Sequence, residues 1–494
     1  MNAIDYAVVV AYLIGITLFG SHFAKFQRNT RNYFLTDNSI PWWAICFTIV
    51  ATETSTLTFI GVPASAYAGN WTFLQLAAGY VIGRIIVSVV FLPRYFGGAL
   101  VTSYQLLQQR FGLSVSTVAA GLFLVTRSLA DGIRLFATAL VISIVTGVPV
   151  PWTVCVLGAA MIVYTVRGGS AAVIWTDVVQ MFIYIAGALV VFFALLNQIP
   201  GGWGEVVRVG TEAGKFTVLD FSLDPATIYT FWAGLAGGIA LTLATHGTDQ
   251  FLVQRLLSAE SPKAAARGLV LSGVIVFAQF TLFLLIGAML FAYHQHFPLT
   301  VALPRNDAIL PRFIVDHLPH GLIGFIIAAI VAAALSPSIN AMAATTVNDF
   351  YLKYVKTPPD EATLLRLSKR ITIFWGLVQL VVALGAQWLD QSVLDAGLSV
   401  LSLTTGPVLG AFVVGVSTRR VGAVAMLGGM ATGGLVLVGA AMVGGIGGIR
   451  LVTPWPIQSI AWTWYALIGA SVTGLSALAL SLVRPAAPAR PATA

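Results

Sequence analysis

The chain has 494 residues, of which 58% are hydrophobic and only 9% charged, and its mean hydropathy is +0.90; about a quarter of a soluble domain is charged, so a soluble globular or disordered protein is excluded. The formal net charge of +8 does not call for nucleic acid, because basic cytoplasmic loops of a membrane protein account for it. Beta-barrel periodicity is absent, and Cys46 and Cys155, both in or at the edge of apolar runs, make neither a disulfide framework nor a cysteine metal site.

The first run, MNAIDYAVVVAYLIGITLFG, has no basic n-region and no small-residue cleavage site, so it reads as a membrane span rather than a leader. Further apolar runs of the length a bilayer needs give spans near 41–67, 73–95, 113–146, 150–166, 171–196, 227–252, 266–292, 319–345, 367–388, 392–416, 420–444 and 459–483, about thirteen with the first. Alternate connections then lie on one side. Eighteen Lys and Arg fall in one set and only Arg208, Lys215, Arg305, Arg312 and Arg450 in the other. The positive-inside rule puts the N-terminus outside and the C-terminus in the cytoplasm of a plasma or inner membrane. The connections 197–226 and 293–318 are long and are expected to cover the outer mouth, and the Pro/Ala-rich 485–494 tail is expected to be disordered.

Charge at bilayer depth is costly and marks a cavity or a partner, so each instance matters. Residues 51–63, ATETSTLTFIGVP, put Glu53 and five hydroxyls inside the second span. Such a segment need not be continuously helical, and a break there frees carbonyls for a small hard cation; hydroxyls bonding back to their own helix are the plainer alternative. Arg127, Asp131 and Arg134 share one face of the fourth span. They form either a self-neutralising ladder or a net-positive receptor whose free guanidinium fork suits a carboxylate, with Arg134 the better placed. Asp177 follows the Gly168-Gly169 turn and is a dipole partner, a pair for Arg167, or a cation ligand. Asp249 and Gln250 read as contacts of the cytoplasmic network, Arg84 as a donor to carbonyls of a neighbouring helix end, and His246 as a core histidine in a span. The ninth span is interrupted at AAALSPSINAM, where Ser336, Pro337, Ser338 and Asn340 offer a kink and oxygen ligands.

The stretches NYFLTDNSIPWWAICFTIVATETSTLTFIG, YTVRGGSAAVIWTDVVQ, GTDQFLVQRLLSAESPKAAARG and FIVDHLPHGLIGFIIAAIVAAALSPSINAMAATTVNDF together resemble the sodium/solute symporter family of sodium/glucose, proline, sialic acid and monocarboxylate cotransporters. The resemblance implies an all-α polytopic membrane protein whose thirteen or so helices include a LeuT-type core of two inverted five-helix repeats. Residues 1–40 would be an extra helix with a basic loop, 41–196 the first repeat, 227–416 the second, and 417–484 two peripheral helices. It implies a sodium site at Ala51 and Thr54, a second cation position at Asp177, and substrate contacts at Ser55, Gln75, Arg134, Thr242, Thr245 and His246. The ninth span departs from the family pattern: Ala333 and Ala334 stand where relatives carry sodium-binding hydroxyls, unless a gap brings Ser336 into register. Ser338 or Glu53 would then compensate.

The expected function is secondary active uptake of a small polar solute with sodium, without cofactor or chemistry on the solute, by a protein acting as a monomer in the lipid bilayer. Ser-His-Asp, HExxH and P-loop patterns are absent, which argues against an enzyme. Arg134 tilts the solute toward a monocarboxylate or sugar acid, with sugars and amino acids open. A proton-coupled symporter using Glu53 or Asp177 is the rival on the same fold, and a membrane sensor or channel-like protein the rival outside it.

Overall fold

The computed structural model describes residues 2–23, 29–36, 39–98, 100–299, 303, 305–334, 338–388, 393–444 and 459–483. Among them the extended elements are helices, and a single parallel bridge joins Ile40 to Ala259. The long elements are α1 (Ala3–His22), α2 (Trp42–Glu53), α3 (Thr56–Ala68), α4 (Phe73–Val90), α5 (Leu113–Thr146), α6 (Val150–Gln198), α7 (Gly238–Gly247), α8 (Gln250–Leu257), α9 (Pro262–His296), α10 (Leu322–Ala334), α11 (Ile339–Thr345), α12 (Glu361–Gly385), α13 (Val393–Ser417), α14 (Ala423–Gly444) and α15 (Tyr465–Val483).

Nine described helices are long and apolar enough to cross a membrane, ten when the bent pair α2–α3 is taken as one span. Several expected spans are not single straight helices. α2 and α3 meet at 60°. α6 runs 49 residues through the two spans expected at 150–166 and 171–196, with Gly169 between them at φ 58°, ψ −157°, backbone that only glycine adopts without strain. The span expected at 227–252 is a π-helical turn, Ala233–Gly237, followed by α7 and α8. The span at 319–345 is divided into α10 and α11; Ser336 and Pro337, like the 485–494 tail, lie outside the described residues.

α9 packs against α2, α3 and α4, and α4 against α7; α5 packs against α12 and α13, α1 against α6 and α10, and α13, α14 and α15 against one another. Small residues permit the closest approach: a Cβ on Gly79 would stand 2.7 Å from the carbonyl oxygen of Gly234, the close-packing device of membrane helices. Leu18, Val89, Val381 and Leu482, each at least two-thirds exposed, show that the outer surface is apolar, which suits hydrocarbon and would be costly in water.

The interior holds two apolar cores stacked along the helices, and the charged residues lie where one gives way to the other. On α4, Tyr80 belongs to the first core and Val87 to the second, with Arg84 between them. On α5, Leu124 and Ile133 bracket Arg127 and Asp131; across α7 and α8, Ala244 and Phe251 bracket His246 and Asp249. Each helix thus contributes a polar step at the same depth. The 197–226 connection folds over the α3–α4 turn, where Lys215 Nζ donates to the carbonyls of Tyr67 (2.6 Å) and Gly69 (2.9 Å). In that connection Arg208 and His296 hold Glu205 well below the usual carboxylate range, at about 2.

Candidate functional site

The helix ends where hydroxyls crowd. Thr54 leaves helical geometry at φ −80°, ψ 86°, and the Ser55 amide donates to the Glu53 carbonyl at 3.0 Å instead of reaching back to Ala51. The Ala51 carbonyl thereby loses its usual i+4 donor. Three hydroxyls do bond back: Thr52 to Thr48 O, Thr54 to Val50 O and Thr58 to Glu53 O, at 2.7–3.0 Å. Thr56 instead reaches α10, donating to Ile330 O at 3.1 Å, and accepts from Thr138 of α5 at 2.7 Å. Both readings of the hydroxyl cluster therefore hold at once, and the break is stitched to two neighbouring helices.

Around it lies a layer of buried ion pairs. Glu53 pairs with Arg84, whose residue is wholly buried, and its other oxygen is 3.3 Å from His246 Nε2. Arg84 thus meets a carboxylate rather than the carbonyls expected. Arg127 turns its fork to Asp249, with Nη2 to Oδ2 at 2.7 Å and Nε to Oδ2 at 3.0 Å. Asp249 also caps α8, accepting from Phe251 N at 2.9 Å. Asp177 is held by Arg255 at 3.0 Å and by the Thr48 hydroxyl at 2.6 Å, so its partner comes from α8 and not from Arg167. Asp131 lies 3.8 Å from Arg127 and 3.7 Å from Arg134, distances at which the expected ladder is not hydrogen-bonded.

Of these groups Glu53, His246, Arg127, Asp131 and Arg134 face a cavity of about 110 Å³, room for several waters. Of the expected substrate contacts, Ser55, Arg134, Thr242, Thr245 and His246 line it, together with Glu53 and Asp131. The Thr242 hydroxyl is buried with no hydrogen-bond partner among the described residues. Gln75 is elsewhere: it binds Thr72 O and Tyr229 O and accepts from Asp220 N, under the 197–226 connection. Tyr80 and Phe280 close the apolar side of the cavity; as aromatic residues in apolar runs they carried no sequence signal.

Of the expected cation ligands, Ala51 and Thr54 sit at the break, where the Thr54 hydroxyl accepts from Gln279 Nε2 of α9 at 2.5 Å. Ser338 is buried at the head of α11 and accepts from Gln379 Nε2 at 2.9 Å. Asp177 stands apart from the cavity lining, within its own cluster with Thr48 and Arg255.

Residues 33–433 match the sodium:solute symporter family. The chain is 30% identical over 434 residues to the sodium/sialic acid symporter SiaT of Proteus mirabilis (strain HI4320), covering 85% of this chain and 86% of that one. It is 29% identical over 440 residues to the human sodium-coupled monocarboxylate transporter 1, covering 87% and 72%. Among solved structures, a substrate-bound outward-open Na+-coupled sialic acid symporter superimposes with a TM-score of 0.88 at 25% identity, covering 99% of both chains. Mhp1, a nucleobase-cation-symport-1 family transporter in a closed conformation, shares the fold with a TM-score of 0.60 at 13% identity, over 91% and 94%. A broken span beside a charged cavity, in a chain whose relatives couple solutes to sodium and perform no chemistry on them, leaves no role for an enzyme: the protein belongs to the sodium:solute symporter family and is a sodium-coupled solute symporter.

Proposed function

We propose that the protein imports a small organic acid together with sodium, by alternating access around the cavity at the α2–α3 break. The observation that carries the solute class is Arg134: its guanidinium lines the cavity and donates to the Thr52 carbonyl of the broken helix at 3.4 Å. A solute carboxylate on that fork touches the same element that holds the cation, which supplies the reciprocal linkage coupling requires. The names of the relatives, sialic acid and monocarboxylate symporters among them, agree with an acid.

Sodium is assigned to the Ala51 and Thr54 oxygens of the break, with Ser336, Ser338 and Glu53 as candidates to complete the shell, and Asp177 to a second cation position. Ser55, Thr242, Thr245 and His246 join Arg134 around the solute, and Gln75 acts at the mouth. The architecture supporting this is thirteen spans, with α6 read as two. An extra helix lies in 1–40, inverted repeats in 41–196 and 227–416, and peripheral helices in 417–484. The N-terminus lies outside and the C-terminus in the cytoplasm of a plasma or inner membrane, and a monomer in the lipid bilayer suffices.

In proteoliposomes, an inward sodium gradient is expected to accelerate uptake of a C3 or larger monocarboxylate at least tenfold over a potassium gradient. Failure of every acid in such a screen, with a neutral sugar taken up instead, overturns the solute class. Asp177→Asn is expected to raise the sodium concentration for half-maximal uptake about tenfold, the size of one lost charge-assisted contact; an unaltered sodium titration removes Asp177 from the coupling site.

A further inference from the structure

Asp131 is 6% exposed and lines the cavity. Neither of its carboxylate oxygens has a hydrogen-bond partner among the described residues. A buried carboxylate normally collects several donors, and one left without them is costly. Two guanidinium groups stand near, yet neither closes. Arg127 has turned its Nε and Nη2 to Asp249, leaving its Nη1 3.8 Å from Asp131. Arg134 Nη2 remains 3.7 Å away and also reaches the break. The helix spacing explains this. Asp131 and Arg134 are one turn apart on one face, and the α8 cap draws Arg127 away from its own ladder.

The result is a donor and an acceptor side by side on one wall, with a gap that a direct hydrogen bond would have closed at about 2.8 Å. We propose that Asp131 is a solute contact: Arg134 holds the solute carboxylate while Asp131 accepts from an O–H or N–H on the neighbouring carbon. The site then selects 2-hydroxy or 2-amino acids over unsubstituted ones. The wider gap fits this use, because two adjacent ligand atoms replace one short contact. A site built to hydrogen-bond a solute donor discriminates strongly against the analogue lacking it, since its own acceptor is then left buried and unpaired. This selectivity rests on the organic-acid reading above and adds to it a requirement that reading does not contain.

The test is sodium-driven uptake in proteoliposomes with 2-hydroxypropanoate, 2-aminopropanoate, 2-methoxypropanoate and propanoate as competing probes. Wild type is expected to prefer a donor-bearing acid over propanoate by at least tenfold, and to treat 2-methoxypropanoate, which keeps the oxygen but lacks the donor, no better than propanoate. In Asp131→Leu, which removes the acceptor, the ratio of uptake of the donor-bearing acid to that of propanoate, measured within the variant, is expected to fall to about threefold or less. A wild type that takes up all four acids alike, or takes the methoxy acid as well as the hydroxy acid, overturns the proposal without needing a variant to fold. So does a preference that survives in Asp131→Leu. A wild type that transports none of the four overturns this proposal, while the organic-acid reading stands or falls with the wider acid screen above.

Discussion

Replacing Arg84 by methionine is expected to destabilise the folded protein by about 3–5 kcal/mol, the cost of breaking a buried ion pair from one side. Arg84 is wholly enclosed, and Glu53 is the carboxylate it pairs with. With the guanidinium gone, the Glu53 charge keeps only His246 at 3.3 Å and the rim of the cavity. Adding Glu53→Leu to Arg84→Met removes the stranded charge and is expected to restore most of the stability, because a buried pair exchanged for apolar side chains of similar volume is often neutral. Thermal unfolding of the detergent-solubilised protein measures both. A single Arg84→Met chain as stable as wild type would show that the pair carries no weight. Sodium-driven uptake by the double variant asks a separate question: if Glu53 completes the cation shell, transport stays impaired although folding recovers, and the sodium titration shifts.

The sequence exposes the break and hides its wiring. A carboxylate and five hydroxyls inside ATETSTLTFIGVP conflict with a continuous apolar helix, and that local conflict is why the 60° bend between Glu53 and Thr56 was legible. Arg84 was equally visible as a lone cation in an apolar helix, but its partner lies 31 residues away on another helix, and no periodicity reports a pairing between helices. The same reason concealed Arg127 with Asp249 and Arg255 with Asp177, pairs separated by 122 and 78 residues. Spacing suggested Arg127, Asp131 and Arg134 as a ladder because i+4 and i+3 neighbours are all a single helix reveals. The ladder opens only because the chain interrupts its helix at Asp249, where that side chain serves as both cap and counter-ion. The π-helical turn Ala233–Gly237 left no trace either: its glycines serve close packing, a Cβ on Gly234 standing 2.8 Å from the Gln75 backbone. Five of the six expected substrate contacts share one cavity because Ser55 sits at the break and the others lie on α5 and α7 beside it; Gln75 misses it because it lies near the α3–α4 turn, where the 197–226 connection captures it.

Arg134→Ala is expected to reduce uptake of an acidic solute at least about thirtyfold while leaving the fold intact. The fold survives because the Arg134 contacts to Asp131 and to Thr52 O are long, 3.7 Å and 3.4 Å, and because Asp131 keeps Arg127 beside it at 3.8 Å. Transport does not survive, because a carboxylate brought into an enclosed site without its counter-charge forfeits about 2–5 kcal/mol, the usual loss when one partner of a buried charge pair is removed. Arg127 cannot substitute, since its fork is already spent on Asp249. Arg134→Lys separates charge from geometry: a point charge restores part of the affinity but not the two-pronged contact, so uptake is expected between wild type and alanine. Size-exclusion and thermal profiles matching wild type, with uptake lost in alanine and partial in lysine, identify a carboxylate receptor. Unchanged uptake in Arg134→Ala would remove the guanidinium from the solute site and, with it, the physical reason to read the solute as an acid.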